Sequence, residues 1–391
     1  MNARVGDIAE QIRGVSYSKN DAESSPREGY LPILRANNIT DDGLQTDDLV
    51  FVPHTCVSQK QRLQRGDVVI AASSGSLDVV GKAAPVQNVF DGAFGAFCKV
   101  LRPRSPEVDA RYFAHFFRTP SYRRTISQLA AGANINNLKN EHLDELHIPL
   151  PPLAEQRRIA AILDKADALR RKRKRALELL DTLTQSIFLD MFGDPETNAK
   201  RWPLRPIKEI CRVVTGNTPS RSNPTFYGSA IEWIKSDNID SVEMSVSTAE
   251  EWLSGEGKSI GRLAPAGSTL VTCIAGSPSS IGNAAMTNRE VAFNQQINAL
   301  IPIDVEPRFL VSQIRVGKRL VQNASTGGMK GLVSKSRLEE VRLIYPPRQL
   351  QEAFSERMSA AEKCRLNARI QHTSSVELFS TLQHRAFSGQ L

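Results

Sequence analysis

Side chains that could make or break bonds are present in this sequence, but never in a working arrangement. The histidines are His54, His115, His142, His147, His372 and His384. A zinc-protease helix needs two of them at H-E-x-x-H spacing, and no pair meets it. His142 and His147 are five apart, which does not put them on one helical face. Glu256-Gly257-Lys258 could belong to a metal-dependent nuclease site, but it lacks an upstream aspartate partner and reads as a loop ion pair. Asn223-Pro224-Thr225-Phe226 lacks the second proline of the Asn-Pro-Pro-aromatic motif of amino-methyltransferases. Ser73-Ser74-Gly75-Ser76 and Ser277-Pro278-Ser279-Ser280 are not G-x-S-x-G elbows. No G-x-x-x-x-G-K-[ST] phosphate loop occurs, and no G-x-G-x-x-G follows a strand. Cys56, Cys98, Cys211, Cys273 and Cys364 have no C-x-x-C spacing and read as free thiols in a reducing cytoplasm. Neither catalytic residues nor a metal site is expected.

The composition, 40% apolar and 24% charged over 391 residues, is that of folded globular domains, two or more of them. No apolar run approaches a membrane span, and no secretory signal is readable at the N-terminus. The net charge of +8 favours a polyanionic partner. Much of it is local. Residues 157–175 hold nine basic and two acidic side chains, densest at Arg170-Arg171-Lys172-Arg173-Lys174-Arg175. Six consecutive positions exceed one helical turn, so some of them must face water.

Internal repetition sets the organisation. Residues 6–14 and 208–216 are short apolar segments ending in glycine, followed by polar loops. Residues 32–39 recur as 232–239, and residues 63–70 loosely as 263–270. Residues 132–143, with Leu146, Ile148 and Pro151-Pro152, recur 195 positions later as 327–338, with Val341, Leu343 and Pro346-Pro347. The expected division is 1–150, 151–195, 196–345 and 346–391.

Segments 1–150 and 196–345 read as mixed α/β, with strands at 68–72, 94–101, 269–274 and 297–303 and helices at 110–130 and 307–323. The stretch after each Pro-Pro reads as one long helix. A heptad frame puts Ile159, Ile162, Ala166, Leu169, Arg173, Ala176, Leu180, Leu183, Ile187 and Asp190 on the seam of the first, a rod of roughly 57 Å. In the second, Phe354, Met358, Ala361, Cys364, Ala368, Val376, Phe379 and Leu382 drift across the frame. A lone helix cannot bury such a stripe, so the two are expected to pack on each other with the globular parts at opposite ends. The fold class is α+β, a pseudo-two-fold repeat of two mixed α/β domains separated by an antiparallel coiled coil.

The phrase from Pro149 to Ile159, PLPPLAEQRRI, and the helix running on to Phe192-Gly193-Asp194 resemble the central conserved region of type I restriction-modification specificity subunits. The second copy, Tyr345-Pro346-Pro347-Arg348-Gln349-Leu350, is a weaker match, departing where the first has Leu153-Ala154-Glu155. The resemblance implies a non-catalytic subunit in the cytoplasm whose two target recognition domains each read half of a bipartite double-stranded DNA sequence. It implies that the helices fix the spacer and dock two methyltransferase subunits, which use S-adenosylmethionine to methylate adenine. Restriction subunits would add ATP- and Mg-dependent cleavage. This chain would bind no cofactor.

Base reading needs paired donors and acceptors, arginine for guanine and asparagine or glutamine for adenine, whereas phosphates take Lys, Arg, Ser and backbone N–H groups. In the first domain the candidates are Tyr17, Lys19, Asn20, Arg35, Asn37, Gln59, Arg62, Asn136 and Lys139. In the second they are Arg221, Asn223, Tyr227, Lys235, Asn238, Gln295 and Lys330. Asn37-Asn38 and Asp237-Asn238 recur in both and suit a turn common to the fold. Lys19, Gln59, Arg62, Arg221, Gln295 and Lys330 differ between the domains and are the better specificity candidates. Tyr17 and Tyr227 suit packing as well as contact. On the first helix, Ile159, Ile162, Leu169, Leu180, Leu183 and Ile187 are expected to dock partner subunits, and part of the basic run to meet phosphates. Two other readings compete: a stand-alone nuclease or methyltransferase, active alone, and a coiled-coil scaffold with no sequence preference on DNA.

Overall fold

Short β-branched runs bounded by Gly, Pro and Asn pair into the same pattern twice. The structure, a computed structural model, describes residues 2–76, 78–131, 137–239, 243–326 and 331–391. The chain forms two compact units, Met1–Arg175 with Ile370–Leu391, and Ala176–Arg369. In the first, an antiparallel sheet runs Ala9–Arg13, Cys98–Pro103, Val68–Ala71, Ala83–Pro85. In the second, Cys211–Thr215, Ile297–Pro302, Thr269–Thr272 and Ala284–Met286 repeat that order.

A second sheet in the first unit joins Tyr30–Leu34 to Val50–Pro53 antiparallel and to Ala93–Phe94 parallel. Its counterpart joins Tyr227–Ile234 to Trp252–Leu253 and, in parallel, to Val291–Phe293. The registers agree: Ile33 pairs with Ala93 as Trp233 pairs with Ala292. Gly14 and Gly216 end equivalent strands for one steric reason. A Cβ at either would collide with a backbone carbonyl, that of Gly95 or of Asn294.

Some expected elements are shorter than their apolar runs. The run 94–101 is two strands, because a turn closed by Cys98 N–H on the Gly95 carbonyl (2.8 Å) separates the parallel Ala93–Phe94 from the antiparallel Cys98–Pro103. The helix at 110–130 is broken into Ala110–Phe116 and Pro120–Ala131, where Pro120 has no N–H to continue the first. Gly317 likewise separates Pro307–Val316 from Lys318–Asn323.

The two long helices are Leu153–Phe192 and Arg348–Phe387, neither containing Gly or Pro; Gly193 and Gly389 follow them in left-handed conformation. They pair antiparallel within each unit. In the first, Arg158 donates to the Leu391 carbonyl (2.7 Å) and Arg173 to that of Gln371 (2.9 Å). In the second, Arg365 meets Asp181 at 3.3 Å, and the rings of Phe188 and Phe354 lie 5.7 Å apart. Ile159, Leu163, Phe379 and Ala386 enter the core of the first unit; Phe188, Phe192, Phe354 and Met358 enter that of the second.

The seam is turned by about one residue from the heptad expectation. Gln156, Ile159, Ala160, Leu163, Asp167, Phe188 and Phe192 are the buried positions of the first helix, while Leu169 and Leu183 are 40% and 37% exposed. On the second, Cys364 and Val376 point outward and Ser375 is buried. The hydrophobic pattern misleads because charged side chains occupy seam positions as ion pairs.

One buried amide ties each helix to its unit. Gln156 is fully buried; its Nε2 donates to the carbonyls of Glu107 and Pro151 (2.8 Å each), and its Oε1 accepts from Asp109 N–H (3.0 Å). Asp109 in turn caps Ala110–Phe116. Gln351, also fully buried, donates to the Pro346 carbonyl (2.8 Å) and accepts from Glu306 N–H (3.0 Å), and Glu306 caps Pro307–Val316. Replacing Gln156 with leucine strands three backbone groups in a dry site. It should cost about 2–4 kcal/mol and lower the first unit's melting temperature by about 5–15 °C. Scanning calorimetry would read this directly, and an unshifted transition would remove the amide from the account.

Candidate nucleic-acid interface

Three candidates of the first unit, Arg35, Asn37 and Arg62, are held by local acids. Tyr17 is half-buried against Val15, Ile33, Val52 and Ala93; burial raises its phenol pKa, with nearby Arg35 pulling the other way. Lys19 and Asn20 lie exposed in the turn Lys19–Asp21. Asp48 gathers two candidates, Arg35 (2.7 Å) and Asn37 (2.9 Å). Asn38 closes that turn instead of facing outward, accepting from Arg35 N–H (2.8 Å). Arg62 pairs with Asp91 at 2.9 Å, and Gln59 and Lys139 are exposed. Asn136 lies outside the described residues.

The second unit brings more of its candidates together. Arg221 lies over the rings of Tyr227 (4.6 Å) and Trp233 (5.2 Å), and its Nη2 meets Glu251 at 2.6 Å. Lys235 also approaches Trp233 (5.3 Å) and pairs with the same Glu251. The hydrogen bond from Lys235 holds the Glu251 carboxyl below its ordinary pKa against a smaller effect of burial, and Arg221 adds to the lowering. Gln295, exposed, accepts from the Thr218 hydroxyl. Two candidates serve turns: Asn223 accepts from Thr225 N–H (3.1 Å), and Asn238 accepts from Lys235 N–H (3.0 Å). Lys330 lies outside the described residues.

The basic run has an internal use that charge counting did not reveal. Its two acids anchor it to the first unit. Asp164 takes His115 (2.8 Å) and Arg111 (3.2 Å); Asp167 takes Arg118 (3.0 Å) and Arg170 (2.9 Å). Asp42 then grips Arg170 (3.0 Å) and Lys174, one turn apart. The same clasp recurs in the second unit, where Glu243 grips Arg365 and Arg369 (2.6 Å). Burial drives the Asp167 carboxyl up, but hydrogen bonds and charge from Arg118, with help from Arg170 and Arg171, outweigh it and leave the pKa lowered. Lys172 and Arg175 remain on the surface. Of the helix residues expected to dock partners, Ile159 is in the core, Ile162, Leu180 and Ile187 are half-buried, and Leu169 and Leu183 are exposed.

Against this geometry, the sequence model described as the type I restriction modification DNA specificity domain matches residues 1–179 and 199–373. The chain belongs to that family. It is 41% identical over 203 residues to the StySPI specificity subunit of Salmonella potsdam, and 48% identical over 162 residues to the EcoKI specificity subunit of Escherichia coli K12. These alignments take 51% and 41% of this chain and 44% and 35% of those relatives, so the chain matches less than half of each relative's length.

Two solved structures share the fold of this specificity-family chain. One, from a study of complex assembly and conformational transition of the type I R-M system, has a TM-score of 0.60 at 18% identity, covering 100% of this chain and 98% of that one. The other, the type I restriction-modification S subunit of M. genitalium, has a TM-score of 0.59 at 15% identity, covering 99% and 96%. Among the described residues no helix is long and apolar enough to cross a membrane, and no three His, Cys, Asp or Glu side chains are grouped to hold a metal ion.

Sequence reasoning missed Trp233, Glu251 and the clasp acids Asp42, Asp167 and Glu243. Trp233 had a signal, since it replaces Ile33 at a repeated position; the acids had none beyond lying in or near repeated segments. Asp167 has a lowered pKa in the folded state, so its stabilisation is complete above the unfolded value near 3.9 and disappears as pH falls through the folded value. Asp167→Asn leaves Arg118 buried without its charge partner and should destabilise the first unit by about 3–5 kcal/mol at pH 7. The variant's melting temperature should also fall less steeply than that of the original chain between pH 5 and pH 3. Parallel curves would refute the ion-pair assignment.

Proposed function

We propose that this chain chooses the DNA sequence for a type I restriction-modification complex and makes no bonds itself. Segments 1–150 and 196–345 act as target recognition domains, each reading one half of a bipartite double-stranded DNA target. Segments 151–195 and 346–391, which hold the two long helices, set the spacer and dock two methyltransferase subunits. S-adenosylmethionine, ATP and Mg serve those subunits and the restriction subunits, not this chain. The observation that carries the reading is one scaffold built twice with different exposed polar side chains: Lys19 and Asn20 beside the first sheet pair, and Arg221 over Tyr227 and Trp233 beside the second. A shared frame with divergent surfaces suits reading two unlike half-sites. Exposed Leu169, Leu179, Leu183 and Leu366 supply apolar area for docking on the helices. Lys165, Lys172 and Arg175 are exposed members of the basic run placed for phosphate contact.

The test is base-modification sequencing of DNA from cells expressing the chain with its methyltransferase subunit. A methylated two-part motif with a fixed gap, lost when the chain is omitted, is the expected outcome. Exchanging residues 196–345 for those of a relative should change one half of the motif. An uninterrupted motif, or modification that persists without the chain, would defeat the proposal in favour of a stand-alone enzyme or a protein scaffold.

A further inference from the structure

Three exposed arginines lie over a ring and beside an acid, but Arg27 and Arg205 have one ring each, Tyr30 (5.1 Å) and Tyr345 (4.2 Å), whereas Arg221 has two. A guanidinium on an open loop samples many rotamers and loses that freedom when it binds. Arg221 is restrained from two sides. Tyr227 and Trp233 form a platform, their rings edge to face with centroids 6.1 Å apart, and the Glu251 carboxylate fixes one end of the guanidinium at 2.6 Å.

The platform is itself tied to the loop that carries Arg221. The Tyr227 hydroxyl donates to the Pro219 carbonyl (2.7 Å), and the Trp233 indole N–H to that of Asn217 (3.2 Å). Asn217 is held in turn by Ile260 (3.0 Å) and Arg262 (2.8 Å). Despite these restraints the Arg221 side chain is 56% exposed, so part of its donor fork faces solvent. Among its described residues the first unit has no arginine over two rings: Ile33 stands at the register position of Trp233, and Asp48 pairs with Arg35 where Glu251 pairs with both Lys235 and Arg221.

A planar, pre-oriented donor fork on a surface meant to read bases matches the paired O6 and N7 acceptors of guanine in the major groove. A phosphate can take the same fork, but a phosphate contact is also met by charge alone, without that orientation. Resting on the proposed role of the second domain as a half-site reader, we infer that Arg221 reads a guanine in that half-site. Glu251 acts as the positioning residue that aims it, with Tyr227 and Trp233 as its platform.

The experiment selects bound duplexes from a random library, using the full chain assembled with its methyltransferase subunit, and compares the enriched motifs at two salt concentrations. The original chain should enrich a two-part motif with a guanine in one half. Arg221→Ala should lose discrimination at that one position by about tenfold or more, leaving the other half-motif intact, which also reports that the variant is folded. Arg221→Lys should restore it only in part, because a flexible ammonium can reach O6 and N7 but lacks the planar fork that the platform and Glu251 orient. Glu251→Gln should blur the same position and no other.

An unchanged motif for Arg221→Ala would overturn the assignment. So would a uniform loss across all sequences with a salt slope shallower by about one, the mark of a phosphate contact. Failure of the original chain to enrich any two-part motif would overturn the half-site reading itself, and the two failures are told apart by that first arm.

Discussion

The carboxamide of Gln156 joins the loop at Glu107 and Asp109 to the Pro-Pro turn that opens the long helix. Pro151 and Pro152 bring no N–H groups, and of their two carbonyls that of Pro152 accepts the first helical N–H groups, from Glu155 and Gln156, while that of Pro151 is met by a side chain. Gln156 donates to the latter and to Glu107, while accepting from the residue that caps the neighbouring helix. Tyr112 closes the ring by donating to the Pro149 carbonyl (2.8 Å). A neutral amide suits the position, since a charge there would need a counterion in a site that excludes water. Gln351 repeats the junction with Pro346 and Glu306, so the second copy keeps the essential part of a motif whose wording has diverged.

Below this junction the helices are held by charge as much as by apolar packing. Phenylalanines fill their ends in the second unit, with Phe188, Phe192, Phe309 and Phe354 in mutual contact. Asp167, Arg170, Arg365 and Ser375 take positions along the seam that a zipper would give to leucine. Buried pairs of this kind add little net stability over an apolar seam, yet each is costly to break singly, so they discriminate between correct and shifted registers. The basic run is therefore partly a structural feature. Two of its cations, Arg170 and Lys174, are committed to Asp42.

The duplicated architecture was legible because repetition is read from residue order without knowing any contact. The long helices were legible because forty residues without Gly or Pro after Pro-Pro admit few alternatives. The seam was not. Hydrophobicity places Leu169 inside and Asp167 outside, and only the positions of Arg118 and Asp42, distant in sequence, reverse that choice. The candidate contacts were half legible: residue type singled out Arg221, but its aromatic platform comes from the strand Tyr227–Ile234 and its carboxylate from a further stretch, at Glu251. Asn238 shows the converse, a polar side chain of the right type whose amide is engaged by Lys235 N–H in its own turn and by Ser247 and Thr248 beyond it.

The paired glutamine junctions also bear on how such a chain can evolve. Each head is fastened by a short set of contacts that involves none of the side chains proposed to touch DNA. Genetic exchange through the repeated stretch ending in Pro-Pro would therefore bring in a new head on an intact fastening. On the proposed reading of the heads as half-site readers, a new target would then need only a new head, with no need to repack the core one residue at a time.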